Sequence, residues 1–178
     1  TPIGILSAIY LVEYSKPGKL LNLIRFATET LSGIPSIIYG LFGLIFFVTI
    51  CGFRYSLLSG SLTLSIMVLP TIIRTTEEAL KAVPNSYREG SLALGATKLT
   101  TIVKVVLPSA IPGILSSVIL SIGRIVGESA AVYLTAGFVP TIPKSIFSSG
   151  RTLTVHLYTL ANEGISFEQT FSTATVLI

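Results

Sequence analysis

LSGIPSIIYGLFGLIFFVTICGF, Leu31–Phe53, runs for 23 residues without a charge. A helix needs roughly 20 predominantly apolar residues to cross the hydrocarbon core of a bilayer. The stretch therefore reads as a spanning helix. Arg54 follows in a very short turn, and YSLLSGSLTLSIMVLPTII, Tyr55–Ile73, adds a second uncharged run of 19 residues. Outward from this pair, Thr1–Val12 is apolar and reads as the end of an earlier span. Glu13–Thr30 is a polar connector with a Pro17-Gly18 turn signal. On the C-terminal side, Thr75–Lys104 is the most polar segment, and Val105–Phe138 is apolar apart from Arg124 and Glu128. Val139–Gln169 reads as a mixed loop with Pro140 and Pro143, and the remainder begins a last apolar helix.

Composition supports the same class. Charged residues make up 11% of the chain and hydrophobic residues 51%. Ordinary soluble domains carry about 25% charged residues, so a soluble fold would lack a polar surface. The expected fold class is all-α, a polytopic transmembrane helical bundle. Residues 1–178 form one transmembrane domain, read as a fragment because both ends look cut. The net charge of +4 is no sign of nucleic acid, since most basic residues flank apolar runs, where they set topology. Spans alternate sides. Lys16, Lys19, Arg25, Arg74, Lys81, Arg88, Lys98 and Lys104 then share one side, and Arg54, Lys144 and Arg151 the other. Eight against three places the 75–104 loop in the cytoplasm. One Cys and one His allow no internal disulfide and point to no metal site.

The cytoplasmic loop reads as two short helices. Thr75 with Glu78, and Ser86 with Glu89, fit capping boxes. Pro84 stops the first helix, and Gly95 is placed as the C-terminal stop of the second. That second helix, Tyr87–Leu94, is about 12 Å long at 1.5 Å per residue, too short to stand alone in water. It is either an ordinary amphipathic connector or an element that docks on something. The chain contains no Gly-rich phosphate loop followed by Lys-Ser or Lys-Thr, so ATP chemistry is not expected here.

The loop resembles the cytoplasmic loop of ABC importer permeases. That family's pattern is Glu-Ala-Ala, three residues, Gly, nine residues, Ile, one residue, Leu-Pro. Here it reads Glu89-Gly90-Ser91, Gly95, Val105 and Leu107-Pro108, with Gly90, Ser91 and Val105 as departures. The resemblance implies that Tyr87–Leu94 sits in a groove of a separate ATPase subunit and transmits its closure. Tyr87, Glu89, Gly90, Ser91, Gly95, Leu107 and Pro108 would be the coupling residues. A closer resemblance is to phosphate-uptake permeases of the Pst type, A subunit. It is carried by Gly33-Ile-Pro-Ser-Ile-Ile-Tyr-Gly-Leu-Phe-Gly43, Arg74-Thr-Thr-Glu77 and Gly123-Arg-Ile-Val-Gly-Glu128. It implies a bacterial cytoplasmic-membrane protein with a core of six spanning helices, the first absent here. It also implies a second permease subunit, an ATPase dimer that holds ATP and Mg, and an extracytoplasmic phosphate-binding protein. No cofactor is expected on this chain itself.

The charges inside the apolar runs give the candidate path. A charge at the bilayer centre costs about 2.5–3.5 kcal/mol on insertion scales, so Arg124 and Glu128 need an interior partner or water. At about 100° per residue, Ser117, Ser121, Arg124, Glu128, Ala131 and Thr135 fall on one face of a continuous helix. Arg124 and Glu128 then form either a scaffolding i,i+4 pair or part of an anion path. Arg74 and Glu77, at the cytoplasmic end of a span, are either topology anchors or substrate-exit residues. Gly123–Gly127, Gly40 and Gly43 suggest close helix packing. Competing readings are a permease for molybdate or sulfate, an ion-coupled secondary transporter, and a membrane-embedded enzyme.

Overall fold

A computed structural model describes residues 1–164 and 166–178, and all regular structure among them is helical. The helices, in chain order, are α1 (Pro2–Tyr14), α2 (Lys19–Ser32), α3 (Ser36–Ile50), α4 (Leu57–Lys81), α5 (Asn85–Ala93), α6 (Lys98–Val126), α7 (Ala130–Thr135), α8 (Leu153–Glu163) and α9 (Phe167–Leu177). Helices α4 and α6, of 25 and 29 residues, are long and apolar enough to cross a membrane.

Several boundaries differ from the sequence expectation. The uncharged run from Leu31 is not one helix. Gly33-Ile34-Pro35 interrupts the helix between α2 and α3. Proline disfavours helical geometry in the residue before it, so the helix restarts at Ser36. Its 15 residues would reach about 22 Å at 1.5 Å per residue, short of the hydrocarbon thickness of about 30 Å. The end of the next span moves the other way. No break occurs at Thr75, and α4 continues to Lys81. The Thr75 hydroxyl donates to the Thr71 carbonyl (2.8 Å) inside the helix instead of capping a new one. The loop expected over 75–104 narrows accordingly, because Lys98–Lys104 belongs to α6. The Val139–Gln169 loop contains α8, with Val155 and Leu160 buried.

The chain packs as two compact units. The first comprises Thr1–Gly33 and Val68–Gly123. Its core is Ala8, Leu11, Leu21, Ile73, Leu80, Val83, Val106, Ala110 and Ile114, from α1, α2, α4, α6 and the α4–α5 turn. The second comprises Ile34–Met67 and Arg124–Ile178, with Val132, Ala136 and Val155 at its core. Here the close-packing expectation for α3 holds. A Cβ on Gly40 would lie 2.9 Å from the Ala131 Cα, and one on Gly43 would lie 2.7 Å from the Thr135 Cγ2 and against the Thr63 side chain. Only a hydrogen at these positions lets α3 approach α7. At Gly123 an added Cβ would meet nothing within 4 Å among the described residues.

Candidate functional site

Helix α5 starts and stops by local chemistry. Pro84 occupies its N-cap, and no side chain caps the helix, so the expected Ser86–Glu89 box does not form. The stop at Gly95 does form. Gly95 has φ +83°, a left-handed geometry that costs a residue with a Cβ roughly 1–2 kcal/mol. The Gly95 N–H donates to Leu92 O (2.9 Å) and the Ala96 N–H to Ser91 O (3.2 Å), which closes the helix end. No residue of α5 is fully buried. Tyr87 and Leu92 are about half exposed, and Leu94 is 91% exposed. A short helix presenting apolar side chains outward has no reason to be stable unless something holds it from behind.

Arg88 supplies that hold. Its guanidinium donates to Glu13 Oε1 (2.9 and 3.1 Å), to Leu80 O (2.9 Å) and to Val83 O (2.7 Å). The two carbonyls belong to the C-terminal end of α4 and the turn after it, so one side chain ties α5 to α4 and to Glu13 on α1. Both partners are largely buried, with side-chain exposures of 17% and 8%. Ser91 adds a hydroxyl contact to Thr101 (2.9 Å) at the start of α6. Leu107 and Pro108 lie within α6, just after a π-helical turn at Ile102–Val106 that packs against α5. Proline lacks an N–H and crowds the carbonyl one turn back, and a widened turn relieves that crowding. Glu13 and Arg88 were absent from the sequence-derived site. The signal available was a lone carboxylate closing the apolar run Thr1–Val12.

A charged cleft of about 150 Å³ lies in the same packing unit, between α2 and the end of α4. Glu77 is buried and binds Arg25 Nη2 (2.6 Å) and Lys81 Nζ (2.7 Å). Arg74 reaches Glu78 (3.3 Å) and Glu29 (3.4 Å) and is half exposed. Exposed pairs of that kind contribute about 0–1 kcal/mol, whereas separating the buried Glu77 from its cations leaves a desolvated charge. The three cations face three carboxylates, so an incoming oxyanion would have to displace a carboxylate. The cleft is built as a latch between α2 and α4.

The stripe expected along α6 is divided by a helix break. Ser117 and Ser121 are buried, and both hydroxyls donate to their own helix, to Ile114 O (2.7 Å) and Ser117 O (2.8 Å). Ser117 also approaches Thr76 Oγ1 on α4 (3.5 Å). Arg124 sits in the last turn of α6, within electrostatic reach of Tyr39. The helix then ends at Val126, and residues 127–129 are not helical. Glu128 is therefore not one turn beyond Arg124 on a shared helix, and the i,i+4 register does not exist. Instead, the buried Glu128 Oε1 accepts from the Ala131 N–H (3.1 Å) at the start of α7. Thr154 on α8 donates to Val126 O (3.2 Å) and Glu128 O (3.1 Å), which stitches the break from behind. Ala131 and Thr135, expected on the stripe, face Gly40 and Gly43 of α3. The arrangement is a fixed, polar helix break with an arginine at its edge.

Bilayer-length helices, an exposed short helix between them and a polar helix break are the features of a polytopic helical membrane component. Over residues 1–178 the chain matches the family described as binding-protein-dependent transport system inner membrane component. It belongs to that family and is an inner membrane protein of the ABC permease type. It is 38% identical, over 92% of its length and 60% of the relative's, to the probable ABC transporter permease protein YqgI of Bacillus subtilis. It is 38% identical, over 99% of its length and 59% of the relative's, to phosphate transport system permease protein PstA 1 of Mycobacterium tuberculosis. A PstA homolog of Mycoplasma pneumoniae is 42% identical over 88% of the chain and 25% of that protein. The chain thus spans three-fifths or less of the length of these relatives.

Proposed function

We propose that the chain is the core of a translocation subunit in an ATP-driven importer of inorganic phosphate. It would work beside a second permease subunit, an ATPase dimer that carries ATP and Mg, and an extracytoplasmic phosphate-binding protein. The observation that carries this reading is α5: an exposed helix held from behind by Arg88, in a chain whose relatives include proteins named phosphate transport permeases. The Lys and Arg distribution supports a cytoplasmic position for α5, where an ATPase would meet Tyr87, Leu92 and Leu94. Movement of α5 would pass through Arg88 to α1 and α4. It would also bear on the Arg25–Glu77–Lys81 latch at the end of α4. Arg124, at the α6 break, is the cation best placed to meet the anion, because its fork suits an oxyanion. Glu128 keeps the break open through its bond to Ala131.

Gly95→Val tests the docking role. An added Cβ meets nothing within 4 Å, so the substitution acts through the left-handed backbone alone, at a cost of roughly 1–2 kcal/mol. Transport-linked ATP hydrolysis is expected to fall about 10-fold, since 1.36 kcal/mol corresponds to a factor of ten, while membrane insertion persists. In a Cys51→Ser background, Leu94→Cys is expected to cross-link to the ATPase subunit. Wild-type hydrolysis in Gly95→Val together with no cross-link at position 94 would remove the docking role.

A further inference from the structure

We propose that an apolar groove along α1, together with the lysines at its end, binds an anionic phospholipid of the cytoplasmic leaflet; the choice of leaflet rests on the function proposed above. The groove has a volume of about 470 Å³ and is lined by Leu6, Ser7, Tyr10 and Leu11 of α1, Ile24 of α2 and Ile73 of α4. That size falls within the roughly 300–1,000 Å³ of ordinary ligand pockets. The residues of the groove and of the lysine corner all belong to the first packing unit. Ser7 is the small polar residue of the lining, and its hydroxyl donates to Ile3 O (2.7 Å) within its own helix. The walls therefore suit a hydrocarbon chain better than a polar ligand.

Tyr10 connects the groove to positive charge. Its ring stacks on that of Tyr14, with centroids 6.5 Å apart and planes 13° apart. Lys98 Nζ lies 5.0 Å from the centroid of Tyr14. Tyrosine joins an apolar body to a polar tip and concentrates where hydrocarbon meets headgroups. Lys16 and Lys19 follow Tyr14 on the connector and at the start of α2, and all three lysines are exposed. Among the described residues none of the three makes an ion pair. The carboxylate beside Tyr14, that of Glu13, is held by Arg88 (2.9 Å). The cleft around Arg74 differs in this respect, since every cation there faces a glutamate.

Lys19 and Lys98 stand in the first turns of α2 and α6, and neither turn carries an acidic residue. A cation there adds to the positive end of the helix dipole, so the corner is left with positive charge that nothing in the chain offsets. Groove, tyrosine step and lysines follow one another as acyl chain, glycerol region and phosphate do in a phospholipid. Anionic lipids give the cytoplasmic leaflet its negative surface, and basic pockets between helices on that side take their headgroups. A lipid seated here would tie the end of α1 to the start of α6. Those are two of the elements that hold α5, through Glu13 and through Thr101.

The test uses the full-length protein with its partner subunits in phosphatidylcholine nanodiscs. Trace phosphatidylglycerol or phosphatidylcholine with a diazirine on one acyl chain is added and photolysed, and labelled residues are mapped by mass spectrometry. Labelling of residues 6–11, normalised to labelling of the whole complex, is expected to be at least about 5-fold stronger from the phosphatidylglycerol probe, the preference that even one lysine at a membrane surface confers. The preference is expected to vanish when Lys16→Gln, Lys19→Gln and Lys98→Gln are combined. In the unsubstituted protein, unlabelled phosphatidylglycerol is expected to displace the probe and unlabelled phosphatidylcholine is not. Equal labelling by the two probes would reduce the groove to ordinary lipid contact and overturn the proposal. A preference that survives the triple substitution would overturn the role of the lysines and with it the site. No labelling by either probe would mean that a protein segment fills the groove, which also overturns it. None of these readouts requires transport, so they stand apart from the phosphate reading.

Discussion

Replacing Arg124 with Gln is expected to lower phosphate uptake per assembled complex by roughly 10- to 100-fold, with the complex still assembled. Hydrogen bonds to charged groups contribute about 1.5–3 kcal/mol, and each 1.36 kcal/mol is a factor of ten. Arg124 stands at the last turn of α6, and the bonds at the break beyond it include Glu128 to Ala131 N and Thr154 to two carbonyls. Losing the guanidinium charge therefore leaves those bonds in place. Glu128→Gln keeps an acceptor for the Ala131 N–H and is expected to assemble and transport better than Glu128→Ala, which loses it. The measurement is phosphate uptake by proteoliposomes normalised to assembled complex. Near-normal uptake in Arg124→Gln would make the arginine a scaffold.

Glu13→Ala is expected to uncouple the transporter. Breaking a buried pair by removing one partner costs about 3–5 kcal/mol, and Arg88 would keep its bonds to Leu80 O, Val83 O and the Asn85 side chain. Helix α5 would remain attached to α4 but lose its tie to α1. ATPase subunits are expected to co-purify as before, while phosphate moved per ATP hydrolysed falls about 10-fold, a loss within that energy at 1.36 kcal/mol per decade. Glu13→Gln, which retains an oxygen acceptor, should fall between. An unchanged ratio in Glu13→Ala would show that α1 carries none of the motion of α5.

How much of this was legible in the sequence follows from the range of each interaction. The α5 stop was readable because Gly95 sets it locally, and the all-helical membrane class was readable because uncharged runs such as Leu31–Phe53 leave no soluble alternative. The Gly33-Ile34-Pro35 break was also in plain view, but the lack of charge across it masked the end of the helix. Thr75 looked like a cap, yet its hydroxyl bonds back to Thr71, and only the continuing helix decides between those two uses of a threonine. The break after Val126 defeated the helical wheel. A wheel assumes an unbroken helix, and the groups that stabilise the break include Thr154, 28 residues from the carbonyl it binds. Arg88 and Glu13 are 75 residues apart, and Arg25 and Glu77 meet only when α2 folds onto α4. Such pairs depend on tertiary proximity, which no local pattern encodes.

The most direct measurement is accumulation of labelled anions by proteoliposomes that contain the full-length protein, its partner permease and its ATPase, with binding protein and anion outside and ATP supplied to the ATPase side. The account predicts ATP-dependent accumulation of phosphate, no comparable accumulation of sulfate or molybdate, and loss of accumulation when ATP is replaced by a non-hydrolysable analogue. Accumulation of sulfate or molybdate in place of phosphate, or phosphate accumulation driven by an ion gradient without ATP, would contradict it.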